Sequence, residues 1–341
     1  MFVLENIKKR EIWVDNVKVL AISLVVFGHL MQSFRLSGII ADSSAVGGFL
    51  DIIYLFHVPL FFICSGFLYQ HLTKKQGAKE YGKNILKKLL ALGVPYFVFS
   101  IVTYLFKSIF SSSVNTQNDS SLADMLFINP TAPYWFLYAL FLLFLVSPIL
   151  KSKIDAGLRL GISLILYIII YTVDLSFLPG IVHTFVFQIS GNLIWFVLGM
   201  ELSYFRINKK FNKNFGVLFI IFLAAAILKT VYKINFAALD LLLGFVACFA
   251  LISLIGGLCN GKKQSKFLAF LSKYIMPIFL MHTICAAGVR AVLFKIGIQS
   301  SLIHIIFGLC ASFILPIIAA FIMENIKLDF LYAPTKYIKI K

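Results

Sequence analysis

Lys18 and His29 stand eleven residues apart in an otherwise apolar stretch. In an α-helix that separation is about three turns, so the two side chains share one face, roughly 16 Å apart along the axis. A cation at the near end of such a face can hold an anion. An imidazole further along can take and return a proton, or carry an acyl group as a nucleophile. Two more imidazoles sit in apolar runs, His57 in Phe56-His57-Val58-Pro59-Leu60 and His282 in Pro277-Ile278-Phe279-Leu280-Met281-His282. An ionisable side chain in such surroundings is costly and is a functional candidate by default. Counted from the inner ends of their segments, the three imidazoles fall at similar depth and could line one polar cavity; depth alone does not show that their helices touch. Plainer readings stand beside these. A lone His in an apolar helix is often an interhelical hydrogen-bond partner. Lys18 also reads as a snorkelling anchor, with Asp15 three residues before it as a partner.

The segments that carry these residues are long and apolar. The chain has 341 residues, 60% hydrophobic and 13% charged, with a mean hydropathy of +0.94. A soluble domain of this size would be about 25% charged. A bilayer core takes about 20 apolar residues per helix, and lipid requires every backbone group to be paired internally, so each run reads as a helix. The expected fold is an all-α polytopic transmembrane bundle forming one membrane-embedded domain over residues 1–341. Its ten spans run roughly over 17–36, 49–70, 86–109, 133–150, 160–178, 185–205, 215–233, 237–258, 267–289 and 301–323. The fourth is short and ends at Ser147-Pro148; Leu178-Pro179-Gly180 is a turn between the fifth and sixth. The first run ends in Gly28-His29-Leu30 without a cleavage site and reads as a retained span. No internal repeat is visible. The five Cys residues show neither metal nor disulfide spacing and read as buried thiols.

The net charge of +17 is unevenly distributed. With the N-terminus placed inside, 25 of the 31 Lys and Arg residues fall in cytoplasmic segments. Only Arg35, Lys107, Lys229, Lys233, Arg290 and Lys295 fall outside. That asymmetry implies both termini in the cytoplasm and a multi-pass protein of the cell membrane. The basic charge then faces the anionic inner leaflet rather than a nucleic acid. The Ser111–Ser121 loop is placed outside, and the basic tail after residue 324 on the inner surface. His71, His183 and His304 read as interfacial, and Tyr134-Trp135-Phe136 as part of an aromatic belt; Glu201 and Asp240 either line a cavity or reach the interface, with the interface the favoured reading. Pro59 and Pro277 are expected to break the helical ladder near His57 and His282. Gly28 and Gly66 allow close helix approach.

Taken together the segments resemble the acyltransferase-3 family of integral membrane acyltransferases, in particular its fucose 4-O-acetylase-like branch. The resemblance is carried by Trp13-Val-Asp15-Asn16-Val-Lys18…Gly28-His29, Phe56-His57-Val-Pro59…Ser65-Gly66-Phe67, Tyr134-Trp135-Phe136-Leu137…Leu140-Phe141 and Met276-Pro277…Met281-His282. It covers nearly the whole chain. The family pattern has an Arg, ten residues, then a His in its first span; here Lys18 takes the Arg position and His29 the His position. An Arg-x-x-Arg element between spans 2 and 3 is matched only by Lys83, Lys87 and Lys88 before Pro95-Tyr96, with different spacing and residue type.

The resemblance implies acyl transfer, usually of acetyl from acetyl-CoA, to a hydroxyl of a glycan or glycolipid at the cell surface. On that reading Lys18 with Lys83, Lys87 or Lys88 holds the CoA phosphates. His29 then acts as general base or transient acyl carrier, with His282 or His57 orienting it or donating to the oxyanion. No metal is called for, and homo-oligomerisation stays open. Two rival readings are a transporter or flippase for a polysaccharide precursor, and a non-catalytic assembly subunit.

Overall fold

The computed structural model describes residues 11–41, 44–73, 77–111 and 120–338. Lys8, Lys9, Arg10, Lys74, Lys75, the centre of the Ser111–Ser121 loop, Lys339 and Lys341 lie outside the described residues. The secondary structure assigned within the described residues is helix and turn, as the hydropathy requires. Helix α1 is Ile12–Leu36, α2 Ser44–Tyr54, α3 His57–Leu72, α4 Ala78–Lys88, α5 Val94–Ile109 and α6 Leu122–Phe127. They are followed by α7 Trp135–Val146, α8 Lys153–Thr172, α9 Gly180–Tyr204, α10 Val217–Val231 and α11 Ala237–Cys259. The last three are α12 Lys266–Lys273, α13 Ile275–Lys295 and α14 Ser301–Asn325.

Among the described residues nine helical stretches are long and apolar enough to cross a membrane. Helix α7 is the exception, with 12 residues. At 1.5 Å per residue it covers about 18 Å, against a hydrocarbon core of about 30 Å. The stretch 128–134 before it is turn and irregular backbone, and Ser147-Pro148 ends it. The expected fourth span is therefore a short apolar helix with non-helical backbone at one end.

Three expected spans are interrupted. The second divides into α2 and α3 at Leu55-Phe56, and the ninth into α12 and α13 at Tyr274. Pro59 is the third residue of α3 and Pro277 the third of α13. In the first turn a backbone N–H has no intrahelical partner to lose. The two prolines therefore begin helices rather than break them, which corrects the expected role. In the third span a π-turn, Leu89–Gly93, joins α4 to α5 just before Pro95. Pro95 cannot donate to the carbonyl one turn back, and the ladder widens there.

The tightest packing in the bundle is between α3 and α9. A Cβ on Gly66 would lie 2.0 Å from the Phe196 carbonyl oxygen, and one on Gly199 would lie 2.0 Å from that of Ile63. The two backbones therefore touch, and each glycine makes room for the other helix. The α2–α3 span, Val46–Leu72, is the most enclosed of the nine, with 67% of its most apolar stretch buried, while that of the α10 span is 11% buried and presents apolar side chains outward. The core around α3 is aromatic: Phe62, Phe67, Phe196 and Phe222 are fully buried.

The tail after α14 is not laid along a surface. Asp329 and Tyr332 are buried, and the turns Asp329–Leu331 and Pro334–Lys336 pack on α5, α14 and the π-turn. Lys336 reaches Asp329 at 2.8 Å, Lys273 reaches Glu324 at 3.3 Å, and the Tyr332 hydroxyl donates to Glu324 at 3.2 Å. The expected membrane-surface tail is a docked segment of the bundle, because its aromatic and acidic side chains find partners there.

Candidate active site

His29 lies on α1 and is half-buried, opening onto a cavity of about 640 Å³. Its ring centroid is 5.5 Å from that of His282 on α13. His57, the first residue of α3, lines the same cavity. The three imidazoles expected to share a layer are thus brought to one place by three different helices.

Two of these rings are held by their own helices. His57 Nδ1 donates to the Ile53 carbonyl at 2.8 Å. His282 Nδ1 donates to the carbonyls of Ile278 at 3.0 Å and Phe279 at 2.9 Å. A carbonyl can only accept, so in each neutral ring the proton sits on Nδ1 and Nε2 keeps the lone pair. His282 Nε2 is buried and has no hydrogen-bond partner. An unmade bond on a buried polar atom is costly and calls for a use. His282 does not line the cavity, whereas His29 does. The geometry is that of an exposed imidazole backed by a buried one.

One turn beyond His29, Gln32 faces the cavity and accepts from the Tyr54 hydroxyl at 3.0 Å. Across from α1 the wall is built by Tyr167 and Tyr171 of α8, Asn192 and Trp195 of α9, Lys229 of α10 and Asp240 of α11. Lys229 Nζ is 2.7 Å from Asp240 Oδ1. Of the two places open to Asp240, cavity and interface, it takes the less favoured one and faces the cavity, where Lys229 on the neighbouring helix neutralises it. The sequence reading treated Lys229 only as a loop charge. The pair flanks the short 232–236 connection, and that proximity was the available signal.

Arg290 was also counted as an outer loop charge. It lies inside α13, 4% exposed, and donates to Ser33 of α1. Ser33 is one turn beyond His29, and Arg290 about two turns beyond His282, so this bond ties the two imidazole-bearing helices together. Tyr134 is fully buried rather than part of a surface belt. Its hydroxyl donates to the Leu280 carbonyl at 2.9 Å and lies 2.8 Å from Thr103 Oγ1, which fixes α13 just below His282. His304 is likewise buried rather than interfacial, with Nε2 donating to the Ile298 carbonyl at 2.9 Å.

Below His29 the candidate cations separate. Lys88 lies near enough to Lys18 for the two charges to repel, and its Nζ is 4.3 Å from the centre of the Phe144 ring. Lys83 is half-buried and Lys87 exposed on α4. Like charges held together inside a fold are stabilised when an anion lies between them. A second recess, of about 550 Å³, is bounded by Glu11, His71, Arg206 and Lys209 at the same end of the bundle. His71 is 3.4 Å from Glu11 there. Among the described residues no group of three or more His, Cys, Asp and Glu is placed to hold a metal ion.

Comparison with known proteins gives two matches. A family model described as an acyltransferase domain, that of the acyltransferase-3 family, matches residues 11–321. The nodulation protein NolL of Mesorhizobium japonicum is 23% identical over 192 residues, which is 56% of this chain and 50% of that protein. The match thus spans about half the length of that curated relative. No solved structure matches the chain.

Proposed function

The chain belongs to the acyltransferase-3 family and is a membrane acyltransferase, and from that premise we propose that it moves acetyl from cytoplasmic acetyl-CoA to a hydroxyl of a cell-surface or exported glycan. The observation that carries this reading is the contact between cavity-lining His29 and buried His282. Lys18 and Lys88 hold the CoA phosphates at the inner end through charge-assisted bonds. The pantetheine arm runs along α1 and delivers the thioester to His29. The acceptor enters the cavity from the other end. His29 takes the hydroxyl proton as the oxygen attacks the thioester carbon. His282, with its lone pair at Nε2, orients the His29 ring and shares the positive charge that forms there. The carbon–sulfur bond then breaks, and the proton passes from His29 to the departing CoA sulfur. His57 stands at the cavity wall with its Nδ1 proton given to Ile53, so through Nε2 it can accept from an acceptor hydroxyl and does not donate to the oxyanion. A fucose-4-O-acetylase-like specificity, residence in the cell membrane and cytoplasmic termini belong to the same proposal; the charge asymmetry and the motif resemblance support them.

The test is mass analysis of surface glycans from cells with and without the gene, paired with acetyl-CoA consumption by the purified protein in lipid nanodiscs. We expect loss of an O-acetyl mark in the deletion strain and no rescue by His29→Ala at equal membrane abundance. Rescue by that variant would overturn the role of His29. Glycan movement across vesicles with no acyl transfer would assign the transporter reading instead.

A further inference from the structure

The cavity has two unlike walls. One, from α1 and α3, carries His29 and His57; the other, from α8 to α11, carries no imidazole. That second wall nonetheless holds an ion pair, Lys229–Asp240 at 2.7 Å, with Asn192 and the Trp195 ring beside it. The two side chains are 13% and 34% exposed, so each gives up part of its hydration to stand at this wall. Helices α10 and α11 also pack on each other, and Phe222 and Ala226 of α10 are buried in the apolar core.

We propose that Lys229 and Asp240 are the specificity-determining pair of an acceptor subsite for a neutral sugar ring. The proposal rests on the acyl-transfer reading above and names the acceptor class within it. A sugar offers adjacent hydroxyls, each both donor and acceptor, along its edge and apolar C–H groups on its faces. An ammonium and a carboxylate side by side match two such hydroxyls, one by donating and one by accepting. The Asn192 amide and the Tyr167 and Tyr171 hydroxyls extend the polar edge, and the Trp195 ring offers a surface for the C–H face. Lys229 is the sole Lys or Arg among the described residues lining the cavity, and Asp240 neutralises it. At the rim, Tyr54 lies within Coulombic reach of both Arg35 and Asp51, so the charges there are also of both signs. A uronic acid or phosphorylated sugar would therefore meet no uncompensated cation. A cavity of about 640 Å³ has room for a ring and its neighbour in a chain.

Binding is read separately from transfer. The purified protein in nanodiscs is titrated with methyl glycosides of neutral hexoses and of the matching uronic acids, following tryptophan fluorescence from Trp135 and Trp195 at the cavity. Acetyl transfer to the same glycosides is then followed by mass spectrometry. We expect saturable binding of neutral glycosides and at least about tenfold weaker binding in Lys229→Met and Asp240→Asn, as loss of a charge-assisted bond implies. The swapped variant Lys229→Asp/Asp240→Lys keeps an ion pair for folding but reverses donor and acceptor positions, so it too should bind weakly. Wild-type affinity in the swapped variant, or preference for uronic acids, overturns the proposal whatever the transfer assay gives. Pair-dependent binding without acetyl transfer leaves the subsite standing and removes the acyl-acceptor reading.

Discussion

His29 and His282 have their rings 5.5 Å apart, yet only His29 opens onto the cavity. The pair is asymmetric by construction: the carbonyls of Ile278 and Phe279 take the Nδ1 proton of His282 and leave its Nε2 facing inward without a partner. On the proposed mechanism His282 therefore acts through His29. We expect His282→Ala to lower kcat by about 10²-fold or more, within the range for acid–base partners, while the KM for acetyl-CoA stays near wild type. The pH–rate profile should also change, because the group that shares charge with His29 has gone. A fall in activity that tracks folded protein, with the profile unchanged, would reduce His282 to a packing residue.

On the proposed mechanism Lys18 and Lys88, near enough for their charges to repel, share the CoA phosphates. Lys18→Met and Lys88→Met should each raise the KM for acetyl-CoA by about tenfold, as removal of one charged hydrogen bond implies. Lys87→Met, on an exposed position of the same helix, should change it by less than about twofold. Equal effects at all three positions would point to diffuse surface attraction instead, and raising the salt concentration would show it.

The three imidazoles in apolar runs, His29, His57 and His282, could be picked out in the sequence by their cost at membrane depth, and they lie together in the fold. Gly66 was read as a close-approach position and is one. What stayed hidden depended on tertiary partners. Asp240 looked interfacial until Lys229 came within 2.7 Å of it, and Arg290 looked like a loop charge until Ser33 on another helix took its donor. Tyr134 resembled a belt residue because an aromatic beside a span end is the same in sequence whether it faces lipid or Leu280. Pattern reports the cost of a residue at a given depth; it does not report which neighbour offsets that cost.

The α3–α9 crossing gives a stability test. Gly66→Ala or Gly199→Ala would push a methyl group into the facing backbone. Overpacking of this kind costs about 1–3 kcal/mol, and backbone cannot rotate away as a side chain can. Both variants should show a lower thermal midpoint in detergent. Gly157→Ala and Gly161→Ala on α8, where a Cβ meets open space, should be neutral or slightly stabilising through helix propensity. Equal behaviour of the two pairs would contradict the crossing.

Acid should loosen the docked tail. Lys336 and the Tyr337 hydroxyl bond to Asp329 and hold its carboxyl below the usual carboxylate range. A lowered pKa in the folded state stabilises docking fully above the free-carboxylate value of about 3.9. That contribution is lost as pH falls through the lowered value. Protection of residues 326–338 against hydrogen exchange, taken relative to the intrinsic rate at each pH, should therefore be unchanged from neutral pH to about 5 and should fall below about 4. Asp329→Asn should raise exchange already at neutral pH and remove the acid response. An acid response retained in that variant would place its origin elsewhere.

Helix α7 is about 12 Å shorter than the hydrocarbon core it sits in, and the irregular backbone before Trp135 borders the cavity that reaches His29. Non-helical backbone at such depth is tolerated where protein or water surrounds it. Water entering there would carry the outer electrical boundary of the membrane down toward the imidazole. The transmembrane voltage then drops over a thinner insulating layer between His29 and the Lys18–Lys88 pair. A charge moving between those two levels during turnover would cross the steepest part of the field, where the full drop is worth about 2.3 kcal/mol per elementary charge per 100 mV. On the proposed mechanism the rate of acyl transfer would then depend on the transmembrane voltage.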